Sequence, residues 1–455
     1  MITGASASAM MRSDVVEVEY RNGTYYGLQL SDFCGAISDN AHFFKVFEPT
    51  VLTATPVSVP STFMGLTVEN VGSGTNTAST PWSYGVNYSI HRILGQGTYW
   101  AEIESNADGN YNWNKLDAAV DAAIAAGKTV MWNVAYTPTG YGSNAAARRS
   151  SGVSTAGWAS APSDLAATMQ VYPAKNSAVW SNFLIAAVQR YAGRIKYYVM
   201  WNEPNYRTYN TATQANAPCG NWFDTSDTGT LKTFTAQTSV SGNQNYTQYV
   251  QLQADLYGIV HQYDPTALVL SGEMYGESNN QSIGGRQAGD VTFNALLTAG
   301  AGDYCDGYCW HNYMDEYLGI NGVSLRLNTF LNTVMGKVAS TGSTTRNWYA
   351  TETGHNNLGD LNILDQRLWL GRHVLIAAAK GFQTWGMYAW DSLNPSTQVM
   401  GLWAPSNATT NPGLRQIADD FSYWAGVLQG ATITYAAILN NGQVCATING
   451  TTYIV

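Results

Sequence analysis

The stretch YYVMWNEPN, residues 197–205, decides how the rest of the chain is interpreted. Its first residues have the apolar and aromatic character of a buried strand, and Pro204 ends that strand because proline has no N–H to donate. Asn202 and Glu203 stand between the strand and the proline. Only 12% of the chain is charged, about half of the ~25% that is usual in soluble domains. A carboxylate directly behind a buried strand therefore indicates a site at the end of the strand.

Strands and helices alternate on both sides of this stretch. Upstream, SAVWSNFLIAAVQRYAG has apolar residues on one helical face, and LDAAVDAAIAAG places Leu116, Val120 and Ile124 at intervals of four. Downstream, YVQLQADLYGIVHQYDP and LWLGRHVLIAAAKG have the same periodicity and end at a proline or a glycine. Each helical segment is adjacent to a strand-like run, which is the pattern of repeated βα units.

Eight candidate strands result from this pattern. They lie near residues 63–68, 86–93, 129–135, 196–202, 267–272, 305–312, 347–352 and 382–390. Alternating βα units in this number predict a (β/α)₈ TIM barrel. The alternative, an open doubly wound sheet, would need a glycine-rich phosphate turn after an early strand. GSGTNTAST at 72–80 lacks the Gly-x-Gly-x-x-Gly spacing and opens no clear helix.

The two ends of the chain have the pattern of β-hairpins. Residues 15–30, VVEVEYRNGTYYGLQL, alternate around one Asn-Gly pair, and residues 431–455 contain two more such pairs between β-rich runs. We therefore expect the N- and C-terminal strands to form a small accessory β-sandwich beside the barrel. The predicted division is 1–60 for the N-terminal strands, 61–415 for the barrel and 416–455 for the C-terminal strands.

In a TIM barrel the functional residues lie at the carboxyl ends of the strands. In strand order, the candidates at these ends are His91, Arg92, Trp132, Asn133, Tyr136, Asn202, Glu203, Glu273, His311, Tyr313, Glu352 and Trp390. Glu203 and Glu352 are three strands apart and would face one cavity. Two carboxyl groups flanking a scissile acetal are what glycoside hydrolysis needs, one protonated to release the leaving oxygen and one ionised to attack or to activate water.

The surroundings of the two glutamates favour different roles. An aromatic residue and a proline flank Glu203, and apolar surroundings favour the protonated form that an acid needs. Arg92 and Tyr313 are candidate donors to Glu352, which suits an ionised nucleophile. A glutamate before a proline can also be a simple cap, however, and other glutamates compete for the cavity: Glu69, Glu104, Glu273 and Glu316.

These motifs together resemble glycoside hydrolase clan A. WNEPN at 201–205 is followed by ATETG at 350–354, with an arginine after strand two, HNY at 311–313 and a tryptophan closing strand eight. Within the clan, the chain is most similar to family thirty-nine, the group of β-xylosidases, iduronidases and exopolysaccharide hydrolases. The segments IHRILGQGTYWAEIE and NWNKLDAAVDAAIAAGKTVMWNVAYTP also fit that family's second and third barrel units. The resemblance covers residues 60–415.

The resemblance implies hydrolysis of β-glycosidic bonds with net retention through a glycosyl-enzyme intermediate. Glu203 would be the general acid/base and Glu352 the nucleophile, with carboxyl groups ~5–5.5 Å apart rather than the ~6.5–9.5 Å of inverting enzymes. The expected substrate-binding residues are Asn202, Arg92, His311, Tyr313, Trp390, Trp132 and Tyr136. This chemistry requires neither a metal nor another cofactor.

The resemblance also implies individual roles for several of these residues. Asn202 would hydrogen-bond the 2-hydroxyl of the sugar at the bond-breaking subsite. His311 and Tyr313 would orient the nucleophile and the substrate. Trp390 would form the floor of the sugar subsite, and Arg92 would support the nucleophile electrostatically.

Two long segments depart from the simplest family pattern and bear on the substrate. Residues 139–178 and 207–245 are rich in Gly, Ser, Thr and Asn and follow strands three and four, so they would lie over the catalytic face. A long cleft there would suit an endo-acting hydrolase of a polysaccharide or exopolysaccharide, and a closed pocket would suit an exo-acting β-glycosidase. We favour endo action because spare aromatic residues suit several subsites: Trp158, Tyr172, Trp222 and Phe223.

Composition and missing motifs bound the other functional classes. The net charge is −9 without a basic cluster, so nucleic acids and anionic membranes are poor partners, and no apolar run reaches the ~20 residues of a membrane span. Neither a His-Glu-x-x-His nor a Gly-x-Ser-x-Gly motif occurs. A carbohydrate-binding barrel without catalysis is the main alternative class.

Composition also bears on where the protein works. The surface must take its polarity from uncharged residues, which is common in proteins that act outside cells on neutral polymers. The opening MITGASASAMMRS lacks the apolar segment of a signal peptide. We expect a secreted or extracellular protein, or a component of a phage particle.

Overall fold

The computed structural model of the chain describes its residues in separate ranges. These are 15–21, 24–29, 44–45, 49–68, 80–95, 97–106, 108–138, 169–170, 177–204, 207–208, 219–220, 247–275, 289–313, 320–354, 363–390, 401–404, 413–439 and 442–455. Most of the two long segments after strands three and four lies outside these ranges, as do Trp158, Tyr172, Trp222 and Phe223. Glu69 and Glu316 lie outside them as well.

The strands are numbered in chain order. They are β1 (Val15–Arg21), β2 (Thr24–Gln29), β3 (Phe44–Lys45), β4 (Thr50–Thr53), β5 (Val57–Ser58), β6 (Met64–Val68), β7 (Ile90–Ile93), β8 (Thr129–Val134), β9 (Thr137–Pro138), β10 (Met169–Gln170), β11 (Ile195–Met200), β12 (Arg207–Thr208), β13 (Cys219–Gly220), β14 (Leu268–Leu270), β15 (Met274–Tyr275), β16 (Gly307–His311), β17 (Asn347–Thr353), β18 (Thr384–Met387), β19 (Trp403–Ala404), β20 (Gly413–Leu414), β21 (Thr432–Ile438), β22 (Val444–Ile448) and β23 (Thr451–Ile454).

The helices are numbered in the same way. They are α1 (Trp100–Ile103), α2 (Asn114–Ala125), α3 (Ser177–Tyr191), α4 (Thr247–Tyr263), α5 (Gly289–Thr298), α6 (Ile320–Thr341), α7 (Ile363–Ala379) and α8 (Ile417–Leu428), with short 3₁₀ turns at Pro81–Tyr84 and Ala301–Tyr304. Among the described residues, no helix combines the length and the apolar character that crossing a membrane would need.

Eight parallel strand positions close into a barrel, which confirms the TIM-barrel prediction. The order around the barrel is β6, β7, β8, β11, β14, β16, β17 and β18, and β18 pairs with β6 to close the circle. Position five is split, because β14 ends at Leu270 and β15 begins at Met274, and both pieces pair with β16. The eight candidate strands of the sequence each contain or overlap one of these positions.

The pleat of the barrel strands sorts their residues between two sides. Alternate side chains point to opposite faces of a strand, and an apolar group fills the lower interior of the barrel: Ile90, Met131, Tyr197, Val199, Leu270, Cys309 and Tyr349. The other face of the strands packs on the helices. On α3, Trp180, Phe183 and Leu184 are fully buried, as the periodicity predicts.

The predicted buried face of α2 is wrong at one position. Leu116 and Val120 are buried, whereas Ile124 is 41% exposed and Ala123 takes the buried place. Residues spaced by four advance about 400° around a helix of 3.6 residues per turn, so the stripe drifts by about 40° at each step. After two steps the third member has left the buried face.

The hairpins at both ends are confirmed, but their association differs from the expectation. β1 and β2 pair as a hairpin and take β3 as their third strand. The C-terminal strands β21, β22 and β23 form a meander, and β21 pairs with β4 and β5. Both ends of the chain therefore meet in one five-stranded sheet, although residues 50–58 rather than the first hairpin supply the N-terminal strands.

The five-stranded sheet packs against helix α7 of the barrel through β4, β21 and β22. Of the strands expected in the accessory sandwich, this sheet contains the C-terminal ones, while β1 and β2 lie in a separate three-stranded sheet with β3. Helix α8 precedes its C-terminal strands, within the range 416–455 that we assigned to strands. The division at residues 60 and 415 stays a prediction.

Candidate active site

Arg92 is the centre of a polar cluster at the carboxyl end of the barrel strands. Its side chain is buried and lies on the inner face of β7, two residues beyond Ile90 of the apolar layer. Its Nε and Nη2 donate to Glu273 at 3.1 and 2.6 Å, and its Nη1 donates to Glu352 at 2.8 Å. Nη2 also donates to Asn202 at 3.2 Å. One guanidinium therefore joins the ends of three other strands.

Glu352 accepts two strong hydrogen bonds. The donors are Arg92 and Tyr313, the two residues that the sequence predicts. Besides Arg92, the Tyr313 hydroxyl donates to its Oε1 at 2.5 Å. Burial and the Glu352 carboxylate raise the pKa of Tyr313 well above its ordinary value, so this hydroxyl keeps its proton. Donors of this kind stabilise an ionised carboxylate. Glu352 therefore has the surroundings of an anion.

A bulge in β17 turns Glu352 into the cavity. The register of β17 against β16 shifts between Trp310 and His311, and the register against β18 shifts between Ala350 and Thr353. Regular pleating would send Thr351 and Glu352 to opposite faces, but a bulge re-aims a side chain. Glu352 thereby stands beside His311, its partner across the ladder.

An unusual backbone conformation, and not a bulge, positions Glu203. Trp201 has a φ of 63° and Glu203 a φ of 43°, both in the left-handed region that side chains other than glycine rarely enter. A residue before proline is restricted further, towards extended conformations. The surroundings hold this turn, because Trp201 donates its N–H to Val134 and accepts from the Asn133 side chain at 3.0 Å. Such strain is concentrated at functional sites.

His311 connects the two glutamates, although not in the way that the resemblance implies. Its Nδ1 lies 2.7 Å from Oε1 of Glu203, whereas its Nε2 lies 3.2 Å from Glu273 and 3.7 Å from Glu352. The expected role of orienting the nucleophile is thus secondary to its contact with the proposed acid/base. Burial alone would lower the pKa of His311, but the carboxylates of Glu352 and Glu273 and the bond to Glu203 raise it to about 10.

Glu203 and Glu352 lie close enough to act on the same bond. One oxygen of each carboxylate and one nitrogen of His311 all lie within 4.8 Å of one another. Such a group could in principle hold a metal ion. The residues fit a metal poorly, however, because the Arg92 guanidinium and a protonated His311 already supply two positive charges to these carboxylates. The arrangement is better suited to a substrate bond between the two glutamates.

Some predicted site residues are brought together and one is not. Asn202 reaches the cluster through Arg92, and Tyr136 stands edge-on against Trp201 with ring centroids 5.4 Å apart. Trp132 lies away from the cluster, and its role in substrate binding stays a prediction. It packs against Phe183 and Tyr191 of α3, because the pleat points Trp132 outward and the next residue, Asn133, inward.

Trp390 lies at the expected strand end and is almost fully buried, at 1% exposed. Its backbone N–H donates to the carbonyl oxygen of Thr67 at 2.8 Å, and its ring lies 5.7 Å from Tyr84. The Tyr388–Ala389 peptide bond that precedes it is cis. Thr67 also accepts from Arg92 at 3.1 Å, so Trp390 adjoins the cluster. Its role as a sugar platform stays a prediction.

Sequence reasoning missed the members that support the cluster from behind. Asn133 stands at a strand end where the sequence indicates no role for it, and it donates to Glu273 at 2.6 Å. Glu273 competes with Glu203 and Glu352 in the sequence, and in the structure it is fully enclosed by Arg92, Asn133 and His311. No sequence motif marks Thr67. The sequence marks them only by their position at strand ends. Many other residues share that position, so it does not single them out.

Comparisons with known proteins bear on the fold. No protein-family model matches the chain, and no curated protein matches it. Among solved structures, a family 39 glycoside hydrolase from the gut symbiont Bacteroides cellulosilyticus WH2 is similar at a TM-score of 0.54 and 14% identity, covering 94% of this chain and 75% of that one. A family 39 β-xylosidase from Caulobacter crescentus has a TM-score of 0.54 and 12% identity, with 86% and 76% covered.

A third similar structure is a glucosidase from Croceicoccus marinus, with a TM-score of 0.55, 11% identity, and coverage of 86% of this chain and 72% of that one. At these identities the similarity establishes a shared barrel fold. Two of these structures are described as members of family 39, the family that the strand-end motifs resemble.

Proposed function

We propose that this chain is a glycoside hydrolase that cleaves β-glycosidic bonds by double displacement, with Glu352 as the nucleophile and Glu203 as the general acid/base. The observation that carries the proposal is the contrast between two close carboxylates. Glu352 accepts hydrogen bonds from a guanidinium and a tyrosine hydroxyl. Glu203 lies on a strained turn, and its carboxyl group contacts a histidine. Different surroundings give two carboxyl groups different roles.

The separation of the two groups supports retention of configuration. Retaining enzymes hold their carboxyl groups about 5–5.5 Å apart, and inverting enzymes leave about 6.5–9.5 Å for a water molecule. Nearest oxygens within 4.8 Å leave room for one glycosidic bond between the two glutamates. This close approach favours direct attack by Glu352 over activation of a water molecule.

The first half of the reaction forms a covalent intermediate. The Glu352 carboxylate attacks the anomeric carbon while Glu203 gives its proton to the glycosidic oxygen, so that the leaving alcohol departs neutral. Arg92 and Tyr313 orient the attacking carboxylate through their bonds at 2.8 and 2.5 Å. His311, at 2.7 Å, donates to the Glu203 carboxylate that remains.

The second half reverses these roles. The Glu203 carboxylate takes a proton from water, the water oxygen bonds to the anomeric carbon, and the bond from that carbon to Glu352 breaks. Glu203 is then protonated and Glu352 ionised, as at the start. Two inversions at one carbon give net retention.

Stereochemistry and rescue test this proposal on a panel of aryl β-glycosides. We expect NMR of the first product formed to show the β-anomer. For Glu352→Gly, we expect activity to fall by about 10⁴-fold or more and azide to restore turnover with an α-glycosyl azide as product. Glu203→Ala with azide should instead give the β-glycosyl azide. An α-anomer as the first product, or full activity of Glu352→Gly, would refute the assignment.

Endo action on a polysaccharide or exopolysaccharide is our favoured form of this activity, on the basis of the two long segments after strands three and four. The rival form is an exo-acting β-glycosidase, which is consistent with solved structures of similar fold described as a β-xylosidase and a glucosidase. The product profile from a polysaccharide separates the two. Early oligosaccharides support endo action, and release of monosaccharide alone contradicts it.

A non-catalytic carbohydrate-binding barrel would bind glycans without cleaving them. The comparison between wild type and Glu203→Gln decides this point, because a binding protein would show the same affinity and no turnover in both. An extracellular place of action fits a carbohydrate polymer as substrate, and detection of the protein in the culture medium of its source would test it.

A further inference from the structure

Glu273 is a third buried carboxylate to which the proposed mechanism assigns no step. Its side chain is completely buried, in the three-residue break between β14 and β15. Arg92 approaches it with two nitrogens at 3.1 and 2.6 Å, Asn133 with one at 2.6 Å and His311 with one at 3.2 Å. Its oxygens thus face nitrogens from three other strands of the barrel, β7, β8 and β16.

The backbone that carries Glu273 is held as firmly as its side chain. A Cβ at Gly272 would collide with the hydroxyl of Tyr249 on α4. That hydroxyl donates at 3.1 Å to Met200, the last residue of β11. The break after β14 and the turn that carries Glu203 therefore pack on the same tyrosine. Both carboxylates are placed relative to one helix.

We propose that Glu273 is a positioning residue, which keeps His311 as a cation and thereby aims the Nδ1–H of His311 at Glu203. The proposal rests on the proposed function for its catalytic meaning. His311 lies between two carboxylates, with Glu273 3.2 Å from Nε2 and Glu203 2.7 Å from Nδ1. The contact at Nε2 is an ion-pair distance without hydrogen-bond alignment, so Glu273 acts on His311 through its charge. A cationic His311 carries a proton on both nitrogens.

Three carboxylates face His311 among the residues that the structure describes. Glu203 faces it from the end of β11, Glu273 from the break after β14 and Glu352 from β17, at 3.7 Å. Behind these stand Arg92, which pairs with two of the carboxylates, and Tyr313, whose ring lies 6.4 Å away. The negative groups outweigh burial and raise the pKa of His311 to about 10.

The direction of the His311 donor matters at one stage of the reaction. Once Glu203 has given up its proton, it is a carboxylate, and a fixed N–H at 2.7 Å stabilises it. A neutral His311 could present Nδ1 as an acceptor instead, and that atom would repel the new charge. The negative charge of Glu273, 3.2 Å from Nε2, disfavours every neutral form of His311, and the cation always presents an N–H at Nδ1.

Nitrogen NMR of histidine-labelled protein tests the proposal directly. We expect both ring nitrogens of His311 to stay protonated between pH 6 and pH 9 in the wild type, with the signal assigned by its loss in His311→Gln. In Glu273→Gln the loss of one proton should move to lower pH by at least one unit. The matched control is Glu104→Gln, since Glu104 is a buried carboxylate that accepts from Trp100 and Gly109 elsewhere. It should leave the His311 titration unchanged.

Kinetics give a second readout on the same variants. For Glu273→Gln we expect the alkaline limb of kcat to move to lower pH and kcat at pH 8 to fall at least 10-fold more than kcat at pH 6, with KM less affected. A neutral His311 in the wild type at pH 7, or an unchanged His311 titration in Glu273→Gln, would overturn the proposal. If the wild type cleaves no glycoside, the proposed function fails, and the NMR result still decides the role of Glu273.

Discussion

The strands of the barrel fall into two groups, and only one group carries the glutamates. β7, β8 and β16 are regular, so residues two apart on the same face pass from the apolar layer to the polar cluster: Ile90 to Arg92, Met131 to Asn133, and Cys309 to His311. The strands at positions four, five and seven are irregular. They end in a left-handed turn, a break and a bulge, and they supply Glu203, Glu273 and Glu352.

Regular and irregular strands supply different kinds of side chain to the site. A pleat repeats every two residues, so a regular strand delivers a side chain at a position that the strand itself sets. The donors and cations Arg92, Asn133 and His311 arrive in this way. The three carboxylates converge on them from strands whose ladders are interrupted.

The largest expected effect comes from replacing Arg92, which a regular strand supplies to the cluster. Arg92→Leu leaves Glu273 and Glu352 buried without their shared counter-charge, so we expect the free energy of unfolding to fall by about 3–5 kcal/mol. Urea unfolding measures it. The control is Arg190→Leu, which breaks the half-exposed pair with Asp117 and should cost about 1 kcal/mol or less. Equal losses in the two variants would contradict the central place of Arg92.

A smaller effect on activity is expected from disturbing the bulge of β17, one of the irregular strands. A Cβ at Gly386 on β18 would lie 2.5 Å from the Thr351 carbonyl oxygen and 3.2 Å from that of Ala350, at the β17 bulge. Gly386→Ala should therefore move Glu352 and lower kcat by roughly 10²-fold, as small displacements of reacting groups do.

Steady-state kinetics on an aryl β-glycoside and a thermal unfolding curve measure the effect of Gly386→Ala. Gly336→Ala is the control, because Gly336 lies in helix α6 with nothing within 4 Å of the added Cβ, and it should leave kcat unchanged. A Gly386→Ala enzyme with wild-type kcat would show that the bulge does not need the close approach of β18.

Tyr313→Phe removes one of the two donors on Glu352 and leaves the strands intact. A hydrogen bond to a charged group contributes about 1.5–3 kcal/mol, so we expect kcat to fall roughly 10- to 100-fold. Tyr308→Phe is the comparison, because the Tyr308 hydroxyl donates to Thr344 at 2.6 Å, outside the cluster. If both variants lose kcat equally, the loss reflects packing and not the bond to Glu352.

The mildest prediction concerns pH. The pKa of His311 is raised to about 10 from ~6.5 in an unfolded chain. Its contribution to stability is therefore complete below about pH 6.5 and is lost as the pH rises towards 10, by at most about 1.4 kcal/mol per pH unit. Urea unfolding of the wild type between pH 6.5 and 8.5 should show this decline, and His311→Gln should lack most of it.

Two neighbouring groups sharpen the pH experiment. Burial lowers the pKa of His91 to about 3, so His91 is neutral above pH 6.5 in both states, and His91→Gln should keep the alkaline decline. Arg92 and His311 outweigh burial and lower the pKa of Glu273 well below its usual range. Its contribution is present above about pH 4.3 and is lost as the pH falls further. A flat wild-type curve above pH 6.5 would contradict a cationic His311.

Most of the fold and part of the site could be predicted from the sequence. The strand positions follow from apolar runs, and the strand ends bring Glu203, Glu352, Arg92 and His311 into view. The orientation of each residue could not be predicted. Trp132 and Asn133 are neighbours at the same strand end, so the sequence gives both an equal chance of facing the site. The pleat of the strand directs Trp132 against α3 and Asn133 towards Glu273.

The sequence also does not predict which strands pair or which side chains contact each other. The first hairpin pairs with β3, and the C-terminal meander instead takes residues 50–58, because pairing between distant strands depends on which edges the folded chain leaves adjacent. In the same way, His311 contacts Glu203 more closely than Glu352.

The sequence alone determined that βα units alternate and that acidic residues follow buried strands, because periodicity and strand-ending residues are local properties of a chain. Tertiary structure decided which of those acids meet, because convergence depends on a turn at Trp201, a break after Leu270 and a bulge near Thr351 that no local pattern encodes. The pairing of Glu203 with His311 and of Glu352 with Arg92 is the product of those three interruptions in an otherwise regular barrel.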